Sequence, residues 1–65
     1  MIKINDTNLE YQAGLTVEKL LRQNNFIPHL SIVKINGDYV NKNSFFSQLI
    51  NDGDDIKIMH LVAGG

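Results

Sequence analysis

Thr16-Val-Glu-Lys-Leu-Leu-Arg-Gln23 carries the main helical pattern of the chain. Val17, Leu20 and Leu21 recur at i, i+3 and i+4 and form one apolar stripe. Thr16 stands where its hydroxyl can accept from an early orphan N–H and cap a helix. Glu18 falls in the first turn, where its charge complements the helix dipole. Asn24-Asn25 and Pro28 end the element. A helix of about two to three turns is not stable alone in water. Its stripe must be covered by something else, and the sequence on both sides supplies strands.

Upstream, Met1-Ile-Lys-Ile-Asn5 alternates with period two and predicts a strand burying Ile2 and Ile4. Asp6-Thr7 is turn material, and Asn8-Leu-Glu-Tyr-Gln12 alternates again with Leu9 and Tyr11 on one face. The two segments read as an N-terminal hairpin, broken by Ala13-Gly14. Downstream, Ser31-Ile-Val-Lys-Ile35 is β-branched and reads as a third strand. Asn36-Gly37 is the strongest hairpin signal in the chain, since both residues tolerate the positive φ of a type I′ turn. Tyr39 and Val40 continue the return strand. Asn43-Ser44 is expected to cap a short helical turn carrying Phe45, Phe46, Leu49 and Ile50. One of the two phenylalanines is assigned to the core, because a small domain needs aromatic bulk to close its sheet. Asp52-Gly53-Asp54 makes another turn before a last strand, Asp55-Ile-Lys-Ile-Met59, which can extend to Leu61.

This order predicts an α+β chain with a mixed sheet of four to five strands. One main helix covers one face, and a short second helical turn follows. It is the β-grasp, or ubiquitin-like, arrangement, with the first and last strands side by side and parallel. Residues 1–61 form the domain in this reading. Residues 62–65, Val-Ala-Gly-Gly, form a flexible tail.

The bulk composition excludes more than it identifies. The 65 residues make one small domain, 43% hydrophobic with 5 Gly and 1 Pro, which is globular composition. So small a chain has little room for both a core and a deep pocket. Net charge is −1 and the basic residues are scattered, so nucleic-acid binding is not expected. There are no cysteines, hence no disulfide, thiol nucleophile or Cys-based metal site. Neither a signal peptide nor a membrane span is evident, and the expected location is the cytoplasm. Asn5-Asp6-Thr7 matches a glycosylation sequon but reads as a turn. Nothing in the pattern calls for a stable homo-oligomer, so a monomer is expected.

Few residues offer chemistry. His29 and His60 lie far apart in sequence without a carboxylate at ligand spacing, so no metal site is expected. Asp52, Asp54 and Asp55 lack the ligand spread and terminal Glu of a calcium loop and read as a solvated turn. The tail is different. The final strand runs into it with no polar linker between. Four extended residues, Val62 to Gly65, reach about 13–14 Å. Without Cβ atoms, Gly64 and Gly65 fit a slot too narrow for a side chain. The α-carboxylate at the tip, with an ordinary pKa of about 3.5, is ionised at neutral pH and can attack the α-phosphate of ATP in a partner's active site. The acyl-adenylate so formed is open to a sulfur nucleophile.

Asn36-Gly37, the Asp52-Gly53-Asp54 turn before the last strand, and the ending Val62-Ala63-Gly64-Gly65 together resemble the ThiS family, the sulfur carriers of thiamine biosynthesis. The resemblance covers essentially the whole chain. It implies that an E1-like adenylyltransferase (ThiF-like) activates Gly65, with Gly64 as its slim neighbour. A cysteine desulfurase would supply sulfur for a thiocarboxylate, and thiazole synthase (ThiG-like) would receive it. The chain itself would be a protein co-substrate rather than an enzyme. It would bind no cofactor, and ATP and Mg would belong to the activating partner. Two alternatives share the fold and tail: a MoaD-like carrier for molybdopterin synthesis, usually longer, and a ubiquitin-like protein modifier.

Strand alternation also predicts a docking surface. With Ile56 and Ile58 facing the helix, Lys57, Met59 and Leu61 face away; with Val33 and Ile35 inward, Ile32 is outward. Ile32, Met59 and Leu61 would then form an apolar patch on the open sheet face, leading to Val62 and Ala63 as further partner-contacting residues.

Overall fold

The computed structural model describes residues 1–61. Strands β1 (Ile2–Ile4) and β2 (Thr7–Leu9) form the first hairpin, and helix α1 (Val17–Gln23) follows. Strands β3 (Ser31–Ile35) and β4 (Asp38–Tyr39) form the second hairpin, and β5 (Asp55–His60) closes the domain. The order across the sheet is β2-β1-β5-β3-β4. The β1–β5 pair is parallel and all other pairs are antiparallel. The sheet is therefore mixed and five-stranded, with first and last strands adjacent at its centre, and the fold is a β-grasp.

The helix owes its position to its ends. Lys19 N–H donates to Thr16 Oγ1 at 3.3 Å, as the sequence predicts. The other early N–H groups find partners in the long loop before β5: Val17 N–H donates to Gln48 O and Glu18 N–H to Phe45 O, each at 2.9 Å. The N–H groups of Val17, Glu18 and Lys19 are thus all satisfied. At the other end Asn25 takes φ 65°, Phe26 N–H donates to Leu21 O at 2.8 Å and Asn25 N–H to Arg22 O at 3.3 Å. This is a Schellman stop with asparagine in the left-handed position usually held by glycine. Pro28–Leu30 then make a 3₁₀ turn that no sequence motif announces.

Val17, Leu20 and Leu21 are buried against Ile2, Ile4, Val33, Ile56 and Ile58 on one face of the sheet. Phe45 and Ile50 close the end of this core. Phe45 is 4% exposed and Phe46 68%, so one phenylalanine is core and its neighbour is not. Phe45→Ala is expected to cost about 3–5 kcal/mol, enough to unfold much of a domain this small. Phe46→Ala is expected to change stability by less than about 0.5 kcal/mol. Urea unfolding of the two variants measures the contrast.

Three local expectations are corrected. The first turn is Asn5-Asp6 rather than Asp6-Thr7: both residues have positive φ, 48° and 71°, and Ile4 pairs with Thr7 in a two-residue type I′ turn. The second strand consequently ends at Leu9 rather than Gln12, and Tyr11 lies outside it, exposed. The short helical turn is a 3₁₀ turn at Lys42–Ser44, begun by Asn41, whose side chain accepts from Asn43 N–H at 2.8 Å. Phe45 to Ile50 follow as a loop. The type I′ turn at Asn36-Gly37 is as expected, with φ 52° and 90°.

Candidate functional site

The two turn asparagines do more than permit a tight reversal. Asn5 lies beyond the end of β1, yet its side chain continues the pairing with β5. Its amide donates to Ile58 O at 3.1 Å, and its carbonyl oxygen accepts from Ile58 N–H at 2.8 Å. Asn36 does the same near the start of β5, accepting from Asp55 N–H at 2.9 Å and donating to Asp54 Oδ1 at 3.0 Å. Asp54, 8% exposed, also accepts from Asn51 N–H at 2.8 Å. Its carboxylate therefore organises the turn before β5, which is a structural use and not a cation site. Between them the two turns fix the strand that leads to Leu61. Leu61 N–H donates to Leu30 O at 2.6 Å, extending the β3–β5 pairing one residue past the strand.

Of the predicted docking residues, Ile32 and Met59 come together on the face away from the helix, and Leu61 follows two residues after Met59. Ile32 on β3 stands directly opposite Met59 on β5. Ile32 is half-buried, while Met59 and Leu61 are 59% and 45% exposed. Ile32 and Met59 line an open groove of about 310 Å³ with Lys34, Tyr39 and Lys57. The sequence assigns Lys57 to this outer face, and Lys34 and Tyr39 join it there as a second row. Tyr39 opposes Lys34 across β3–β4, and Lys34 opposes Lys57 across β3–β5. Alternation places Lys34 and Lys57, each two residues from Ile32 and Met59, on this face, whereas Tyr39 joins them only through the β3–β4 register. Lys34 Nζ lies 4.7 Å from the centre of the Tyr39 ring. Lys57 Nζ lies 2.8 Å from Asp6 Oδ1. That hydrogen bond, reinforced by the ammonium charge, holds the Asp6 carboxyl below its ordinary range and raises Lys57.

Val62, Ala63, Gly64 and Gly65 lie outside the described residues. Among the described residues, no group of three or more His, Asp or Glu is placed to hold a metal ion, and no helix is long and apolar enough to cross a membrane. The two histidines do not meet. The His29 carbonyl accepts from Lys42 Nζ at 2.9 Å. His60 Nε2 accepts from Ile27 N–H at 3.3 Å, its ring edge-on to Phe26 with centroids 5.6 Å apart.

Comparisons with known proteins agree with this architecture. A crystal structure of a thiamine biosynthesis protein (ThiS) from Geobacter metallireducens superposes with a TM-score of 0.78 at 21% identity, covering 98% of this chain and 97% of that one. An NMR solution structure of a thiamine biosynthesis protein from the same organism gives 0.78 at 22% identity, covering 98% and 86%. At such identities the likeness shows the fold alone. No curated protein matches the chain. The ThiS family model, however, matches residues 2–65, through the final Val-Ala-Gly-Gly, and the chain belongs to the ThiS family.

Proposed function

We propose that this chain is a sulfur carrier of thiamine biosynthesis whose reactive group is the α-carboxylate of Gly65. The observation that carries the reading is the family match over residues 2–65, which takes in the domain and the Gly-Gly ending together. In the first step a carboxylate oxygen attacks the α-phosphate of ATP in an E1-like adenylyltransferase (ThiF-like), giving the acyl-adenylate and pyrophosphate. In the second a persulfide carrying sulfur that a desulfurase takes from cysteine attacks the carbonyl carbon and AMP leaves; a further thiol, such as that of free cysteine, then cleaves the acyl disulfide, leaving the thiocarboxylate and a disulfide. The resulting thiocarboxylate passes its sulfur to a thiazole synthase (ThiG-like). Magnesium and ATP are held by the activating partner. Gly64 and Gly65 present no side chain to the narrow approach, and the domain is the handle by which each enzyme holds the tail.

Ile32, Met59 and Leu61 are the docking surface in this reading, with Val62 and Ala63 continuing the contact. Met59→Asp and Leu61→Asp are expected to weaken binding to the activating enzyme by about tenfold or more, because each buries an unpaired carboxylate on docking. Both side chains are exposed in the free protein, so the unfolding midpoint should not move. Unchanged affinity in both variants removes the patch from the proposal.

The pathway is tested by genetics. A strain lacking the chain should require thiamine, and the intact chain but not one lacking Gly65 should relieve the requirement. A requirement traced to molybdopterin would assign the carrier to the other pathway.

A further inference from the structure

The outer sheet face holds an arrangement that is unfavourable for the isolated domain. Lys34 and Lys57 are directly opposed across an antiparallel pair. Side chains in such positions are close neighbours, and like charges there repel. Lys57 is compensated by Asp6. Among the described residues no carboxylate pairs with Lys34, whose ammonium rests over the exposed ring of Tyr39. Beside this basic row runs the apolar row of Ile32 and Met59, and the groove is lined by both. The face thus offers an uncompensated cation next to apolar surface, on β3, the strand paired with the one that leads to the tail.

We infer that the groove between Ile32, Met59, Lys34 and Lys57 receives a protein segment of the activating enzyme that places an acidic side chain against Lys34 beside an apolar one against Met59. The inference rests on the sulfur-carrier reading and adds the chemistry of the partner. Charge complementarity selects the occupant: a purely apolar segment would leave Lys34 desolvated and unpaired, at a net cost. A carboxylate pairs with Lys34 and relieves its repulsion with Lys57. Electrostatic contacts of this kind act on encounter and on salt dependence.

The test is Lys34→Glu. In the free protein it replaces a like-charge pair by an opposite-charge pair with Lys57, so its thermal midpoint should equal or exceed that of the parent. In the complex it sets carboxylate against carboxylate. Pyrophosphate release by the activating enzyme is measured against carrier concentration at low and high salt. The expected result is a KM raised roughly three- to tenfold at low salt with kcat unchanged. The parent KM should also rise with salt while that of K34E rises less or falls. Lys34→Ala should lie between the two. Equal KM and equal salt response in parent and K34E overturn the inference while leaving the sulfur-carrier reading intact. Failure of the parent to support pyrophosphate release at any salt counts against that reading instead. A parent that forms dimers by light scattering, abolished in K34E, would assign the groove to a second copy of the chain and overturn the inference.

Discussion

Deletion of Gly65 is expected to lower the rate of thiocarboxylate formation by at least about 10²-fold and to leave the unfolding midpoint unchanged. Removal of one extended residue withdraws the terminal carboxylate by about 3.3–3.6 Å from the position it must reach on the α-phosphate. Displacement of a reacting group by about 1 Å already costs on the order of 10²-fold, since the nucleophile leaves its attack geometry. Gly64→Val should fail for a different reason. The carboxylate keeps its reach, but a β-branched side chain is brought into a path that suits a backbone without Cβ. The two variants are separable: Gly64→Val should fail chiefly in binding to the activating enzyme and the deletion chiefly in turnover. Neither touches the packed interior, whose last described member is Ile58. Single-turnover loading followed by intact mass measures both. Loading of the deleted chain at the parent rate would remove Gly65 from the mechanism.

Asn5→Ala is expected to destabilise the domain by about 2–5 kcal/mol. Two hydrogen bonds between the Asn5 side chain and the Ile58 backbone are lost, at about 0.5–1.5 kcal/mol each. Alanine must also adopt φ near 48°, which costs roughly 1–2 kcal/mol. A domain of this size holds only about 3–5 kcal/mol in all, so a large fraction of the molecules would unfold. Asn5→Gly separates the two contributions. It keeps access to the left-handed conformation and loses only the side-chain bonds, so it should fall between Asn and Ala in urea unfolding. Equal stability of Asn5→Ala and the parent would mean that the Asn5–Ile58 contact does not hold β5 in solution.

The two asparagine turns show how far a single sequence carries the fold. Asn36-Gly37 announces itself, because the pair is the commonest chemistry for a type I′ turn and alternating apolar residues flank it. Asn5-Asp6 makes the same turn without the glycine. Its φ values are stabilised by hydrogen bonds to Ile58, 53 positions away in sequence. No local pattern reveals such a partner, so the sequence places the turn one residue late, which would set Ile4 opposite Leu9 rather than Thr7. The helix was legible because its stripe, its Thr16 cap and its first-turn acid all lie within eight consecutive residues. The Asn25–Leu30 segment was not. Asn25 replaces the glycine that usually marks a Schellman stop, and the 3₁₀ turn after it is bound to β5 through the Leu30–Leu61 and Ile27–His60 contacts.

The surface divides in the same way. Ile32 and Met59 are readable from alternation, because burial alternates from Ser31 to Lys34 in β3 and from Ile56 to Met59 in β5. Tyr39 was readable only as part of a return strand, since its place beside Lys34 depends on the hairpin register. The pairing of Lys34 with Lys57 requires the antiparallel alignment of β3 with β5, which the chain order suggests but does not fix to the residue.

The chemistry is tested most directly by the mass of the carrier itself. The purified chain is incubated with an E1-like activating enzyme, ATP, cysteine and a cysteine desulfurase, and its intact mass and C-terminal fragments are measured. The expected result is an ATP-dependent gain equal to one oxygen replaced by one sulfur, confined to the fragment ending in Gly65. ATP-dependent activation that yields no exchange at Gly65, and instead joins the chain to lysines of other proteins, would contradict the sulfur-carrier function.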